Sequence, residues 1–234
     1  MSVRLWHWFS GEQATAATLF SRRCGELEAS PPAITESEQA RGQVFSKAGA
    51  MEHRSFALAS LLASVAFLET SINELFASAD DPSLGFGGSL TEAERSALVR
   101  GYPLIARNGL LDRFQLALLI TGRAPFDPGA QPYQDAKLLV GLRNELVHYK
   151  PRWRPVGNDA SDSESESGLT RALSAKRFGR HPFMGAGMPF FPDQCLGHDA
   201  TSWGWRSALG LVDGFCQRCG LVPIYDDQRE DLQP

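Results

Sequence analysis

The stretch Leu138-Leu-Val-Gly-Leu-Arg-Asn-Glu-Leu-Val-His-Tyr-Lys-Pro-Arg-Trp153 decides how this chain is read. Leu139, Leu142, Leu146 and Tyr149 recur at intervals of three and four, so on a helix they form one stripe for burial. Pro151 then stops the helix, because its ring removes a donor and clashes with the preceding turn. Asn144 and His148 lie one turn apart on a second face, with Gly141 beside them. Arg143 sits between the two faces, and its long stem can carry the guanidinium round to the polar pair. A guanidinium fork, an amide and an imidazole gathered at one place suit a phosphate group. Arginine matches phosphate oxygens, and histidine titrates close to neutral pH.

The run Arg143-Asn144-Glu145-Leu146-Val147-His148 resembles the mark of the HEPN superfamily: an arginine, usually a polar residue next, and a histidine after a short gap. A second segment, Ser64-Val-Ala-Phe-Leu-Glu-Thr-Ser-Ile-Asn-Glu-Leu-Phe76, looks like the partner helix of several HEPN families. The resemblance runs from about Glu52 to Lys150. It implies a helical bundle, and in many members a metal-independent endoribonuclease of a toxin–antitoxin or phage-defence system. Other members are binding or dimerisation modules without catalysis. It further implies a homodimer whose cleft lies across the two-fold axis, with Gly141 permitting close approach of two copies of the motif helix. Cleavage would proceed by attack of the RNA 2′-hydroxyl. His148 would exchange a proton with the attacking or leaving oxygen, Arg143 would stabilise charge on the phosphoryl oxygens, and Asn144 would orient His148 or the phosphate. Glu69 would contact Arg143 and fix it, with Asn73 one turn away. The plain alternative for Glu69 and Asn73 is a hydrogen-bonded brace beside an apolar face.

Composition narrows the classes. With 234 residues and 43% hydrophobic content the chain can bury a substantial core. A formal net charge of -4 argues against a protein that coats nucleic acid nonspecifically, though not against a local RNA site. Arg4 precedes only Leu5-Trp-His-Trp-Phe9, so no secretory signal is expected. The run Phe56 to Leu68 carries Ser60 and Ser64 and is too short to span a bilayer, so no membrane partner is expected. Four cysteines do not make a disulfide framework here, and a reducing cytoplasm is the expected location.

Along the chain the reading is all-α: a HEPN-like helical bundle followed by an irregular, loop-rich carboxyl-terminal region. Residues 1–34 form an amino-terminal segment with a short helix between Gly11 and Ser30, broken by Pro31-Pro32. Residues 35–155 form the core. It opens with the capping box Thr35-Glu-Ser-Glu38 and a helix toward Lys47. A long helix follows from about Ala50 to Ala79, with Leu61, Val65, Leu68, Ile72 and Phe76 in one stripe. Ser83 to Ser89 is glycine-rich, but without a Lys-Ser/Thr ending or preceding strand it reads as a loop rather than a phosphate cradle. Thr91-Glu-Ala-Glu94 caps a helix through Ile105 that Pro103 could kink. Leu110 to Thr121 is the next helix, closed at Gly122, and the motif helix runs from about Tyr133 to Lys150. Residues 156–169 are acidic, serine-rich and without a core pattern, so they read as a flexible loop. Residues 170–234 form a helical extension packing on the core, with a short helix from Thr170 and a final amphipathic helix from Ala200 to Cys219.

Three further sets bear on function. Tyr149, Lys150, Arg152 and Arg154 could follow an RNA backbone while Trp153 stacks a base, or they could form a solvated loop with Trp153 packed inward. Cys195, His198, Cys216 and Cys219 are two x2-spaced pairs that zinc would accept. Cys216 and Cys219, however, fall on the closing turns of an amphipathic helix, where they read as buried small hydrophobes. His53, between Glu52 and Arg54, reads as surface or helix-start chemistry. The function expected is therefore a homodimeric endoribonuclease without a cofactor, acting on RNA, with an antitoxin or defence-system protein as a further partner. A catalytically inactive HEPN-like module and a zinc-stabilised nucleic-acid-binding protein are the alternatives.

Overall fold

The computed structural model describes residues 7–81, 90–151, 167–185 and 187–234. Among these residues the protein is all-α, with no strand. The helices are α1 Phe9–Ala29, α2 Glu36–Ala40, α3 Lys47–Asp80, α4 Glu92–Ile105, α5 Leu110–Ile120, α6 Tyr133–Val147, α7 Gly168–Ser174 and α8 His198–Cys219. The expected loop at Ser83 to Ser89 and most of the acidic segment lie outside the described residues.

The capping boxes form as their spacing requires. Thr35 accepts from the Glu38 N–H while Glu38 Oε2 accepts from the Thr35 N–H at 2.9 Å, and Thr91 and Glu94 repeat the pattern on α4. The helix opened at Thr35 does not continue toward Lys47 as expected. It stops at Ala40, and Gly42 at φ +73 turns the chain through the left-handed region. Lys47 then begins a new helix, and Glu38 Oε1 accepts the Lys47 N–H at 2.8 Å. One carboxylate thus serves two helix starts, and these backbone donors hold its carboxyl below the usual range. Gly122 and Gly220, at φ +67 and +68, close α5 and α8. Pro103 sits in the last turn of α4, and its missing N–H leaves the Val99 carbonyl of the preceding turn without its helical donor.

The chain divides into two compact units, each assembled from segments distant in sequence. The first comprises Met1–Thr15, Ala63–Lys137 and Arg206–Gln233. Its core pairs Phe67 with Tyr225 and Phe114 with Phe215, at ring separations of 5.2 and 5.3 Å. The Tyr225 hydroxyl donates to Asp213 Oδ1 at 2.8 Å, and Arg229 grips both oxygens of the same carboxylate, which ties down the carboxyl-terminal segment. The second unit comprises Ala16–Leu62 and Leu138–Trp205, with Pro234. There Ser60 Oγ donates to the Ala17 carbonyl at 2.8 Å, and Leu61, Leu139 and Trp205 are fully buried. Burial of side chains of this size contributes about 2 kcal/mol each.

By length and composition α3 could cross a membrane, but 56% of its most apolar window is buried inside the protein, as in the core helix of a globular unit.

Candidate functional site

The motif helix α6 buries Tyr133, Ala136, Leu139 and Leu142, at a spacing of three. Beyond Leu142 the stripe fades. Leu146 is half-buried and Tyr149 exposed, with the Tyr149 ring 6.4 Å from that of Phe191. The helix ends at Val147, three residues before the expected Lys150. Its last turn therefore carries polar, partly exposed side chains rather than core. Arg143 is half-buried, while Asn144 and His148 are exposed beside Val147, which is 53% exposed. Among the described residues, the side chains of Arg143, Asn144 and His148 form no hydrogen bond or ion pair. Gly141 faces inward. A methyl group there would stand 3.2 Å from Leu169 Cδ1 of α7, so its nearest neighbour belongs to its own chain.

The polar pair on α3 is engaged elsewhere than the resemblance implies. Arg113 of α5 donates from Nη1 to Asn73 Oδ1 at 2.7 Å and from Nη2 to Glu69 Oε1 at 3.3 Å. The guanidinium that Glu69 holds is thus Arg113's and not Arg143's. Arg113 is 8% exposed and among the described residues its Nε has no partner, so Glu69 and Asn73 compensate a buried charge, the brace reading of this pair. The sequence carried the signal: an arginine within the stripe Leu111, Phe114, Ala117 and Leu118 must be buried with partners.

Of the basic segment, Tyr149 and Lys150 are exposed, while Arg152, Trp153 and Arg154 lie outside the described residues. Cys195 and His198 belong to one compact unit and Cys216 and Cys219 to the other. All three cysteines are buried. Burial pushes the thiols of Cys216 and Cys219 up to about 12 and about 11, and it raises that of Cys24 as well. His198 directs Nδ1 to the Ser21 carbonyl at 2.9 Å, and its Nε2 lies 3.3 Å from Ser202 Oγ. Cys216 and Cys219 are 1% and 3% exposed, as small hydrophobes on the inner face of α8 would be.

His53 is not at the surface. It is 1% exposed, and its Nε2 donates to Glu28 Oε1 at 2.7 Å. The His198 N–H donates to the same oxygen at 2.6 Å, and the Cys24 thiol lies 3.6 Å from it. Burial alone would raise the Glu28 carboxyl, but the bonds from His53 and His198 outweigh it and the carboxyl lies below its ordinary range. His181 stacks on His53 with centroids 4.6 Å apart, and its Nε2 donates to the Asp193 carbonyl at 3.1 Å. Burial lowers the His181 pKa and keeps the ring neutral. Sequence reading missed Cys24 and Glu28 as well as the burial of His53. The register Ala57, Ser60, Leu61 and Ser64, all buried, places His53 on the inner face of α3.

Comparison with models of protein families, with curated proteins and with solved structures found no match. The fold and the site together define an all-α protein whose motif helix ends in an arginine, an amide and an imidazole.

Proposed function

We propose that this protein is a metal-independent endoribonuclease of the HEPN type, working as a homodimer in a toxin–antitoxin or anti-phage setting. One observation carries the reading. The end of α6 presents the side chains of Arg143, Asn144 and His148 without a hydrogen bond or ion pair among the described residues, whereas the deeper histidines His53, His181 and His198 are each spent on a hydrogen bond. Polar groups that the fold does not use remain available to a phosphodiester. His148 takes the proton from the ribose 2′-hydroxyl as that oxygen attacks phosphorus, and a proton is returned to the departing 5′-oxygen. Arg143 balances the charge that gathers on the non-bridging oxygens, and Asn144 holds the imidazole or the phosphate in register. The products are a 2′,3′-cyclic phosphate and a 5′-hydroxyl.

The engagement of Glu69 by Arg113 favours a second reading, a HEPN-like binding or dimerisation module in which Arg143 lacks its brace and catalysis is lost. One experiment separates the two. Wild type, Arg143→Ala and His148→Ala are incubated with total RNA and tRNA in chelator, with folding followed by circular dichroism. Cyclic-phosphate ends from the wild type alone support the nuclease. No cleavage by any folded form rejects it in favour of the module.

A further inference from the structure

Away from the end of α6, a second set of chemistry-bearing side chains converges. Cys24 and Glu28 are one turn apart on α1 and face His53 of α3. The Cys24 Sγ, a Glu28 carboxylate oxygen and a ring nitrogen of His53 all lie within 4.8 Å of one another, and among the described residues this is the group of metal-ligating atoms that comes together. Cys24 and His53 are buried, and Glu28 keeps 21% of its side chain exposed.

We propose that Cys24, Glu28 and His53 form a site for a divalent transition ion of the zinc class, with a coordination position left open. A buried polar brace of carboxylate and imidazole requires no thiol, yet a thiol is the third member, at the same carboxylate oxygen. Thiolate, carboxylate and imidazole together suit a borderline ion, and three protein ligands are the number that leaves a position for water or substrate. His181 borders the group: it is 8% exposed, its ring centroid lies 4.6 Å from that of His53, and among the described residues its Nδ1 has no partner. Gly197 packs against this group: a methyl group there would stand 3.1 Å from Glu28 Oε1 and 3.2 Å from the Cδ2 edge of His181. His53 and His181 also line a cavity of about 580 Å³, with Met51, Met184 and Met188 on the same wall, and this brings open space up to one ligand of the site.

Binding balances as follows. The Cys24 thiol loses its proton to solvent, and His53 moves its proton from Nε2 to Nδ1. The thiolate, the carboxylate and the Nε2 lone pair then bind the ion, with a net release of one proton. Glu28 retains the His198 N–H as a second partner, which orients it.

The test is cobalt(II) titration of the full chain after chelator treatment. We expect one equivalent bound, one proton released per ion, and a thiolate-to-cobalt charge-transfer band that zinc(II) bleaches. Cys24→Ser loses the band, and His53→Gln and Glu28→Gln bind at least tenfold more weakly. A wild type without the band overturns the proposal, as does an unchanged band in Cys24→Ser, since the other cysteines would then be its source. Should Cys24→Ser fail to fold, His53→Gln decides alone: unaltered affinity overturns the site. RNA cleavage plays no part in this readout, so the metal site and the nuclease stand or fall separately.

Discussion

Glu28 and Glu74 are two inward-facing carboxylates with opposite protonation preferences, and the difference is set by what surrounds them. Burial raises the Glu74 carboxyl, and the N–H groups of Phe9 and Ser10, at 2.7 and 2.9 Å from Oε1, recover only part of the cost. Glu74 therefore favours the folded state below its unfolded pKa of about 4.3, and that contribution is lost as pH rises through the folded value. Glu74→Gln keeps an acceptor oxygen and removes the charge. Its melting temperature relative to wild type should be higher at pH 7 than at pH 4, and a difference that does not change with pH would refute this. Glu28 has the reverse sign. Its contribution is present above about pH 4.3 and is lost as pH falls through its lowered folded value. Glu28→Gln should cost about 2 kcal/mol at pH 7, the scale of a hydrogen bond to a charged group, with the gap to wild type narrowing in acid. Denaturant unfolding at several pH values reads both variants. Neither environment is local in sequence: Glu74 meets residues from the start of the chain, and Glu28 meets His198. Composition around each glutamate says nothing of these partners.

At the scale of the element, the chain speaks more plainly about where helices begin than about where they end. The boxes Thr35–Glu38 and Thr91–Glu94, the glycine stop at Gly122 and the stripe of α3 all form as their spacing dictates, because each is settled within a few residues. The early end of α2 at Ala40 and of α6 at Val147 were not legible, since short helices persist only as far as packing supports them. Packing is most exacting at Gly204 of α8. A methyl group there would stand 2.7 Å from Leu61 Cδ2 and 3.2 Å from Leu139 Cδ1, and both leucines are fully buried. Gly204→Ala gains helix propensity but forces two packed side chains to move. We expect a net loss of about 1–3 kcal/mol, seen as a lowered denaturation midpoint. An unchanged or raised midpoint would mean that this crossing has slack.

For the whole molecule, the proposed nuclease requires a second copy. The chain has a mass of 25.6 kDa, and light scattering on active protein should give twice that value. Our proposed dimer puts Val147, which is 53% exposed beside Asn144 and His148, in the contact between the two motif helices. Val147→Glu should shift the mass to that of the monomer and abolish RNA cleavage together. A monomer that still cleaves would rule out a cleft shared across the two-fold axis. Gly141 has no necessary part in that contact, because Leu169 of the same chain occupies its neighbourhood.

The sequence by itself determined the helical class, the main helices and the position of Arg143, Asn144 and His148 at the end of one of them. Periodicity, capping and proline stops are short-range rules that a linear chain displays. The tertiary structure alone decided that Glu69 and Asn73 hold Arg113, that His53 is buried against Glu28, and that Cys24 joins them. Which side chains meet depends on how distant helices pack, and only burial forces a charge to take the particular partners that packing brings within reach.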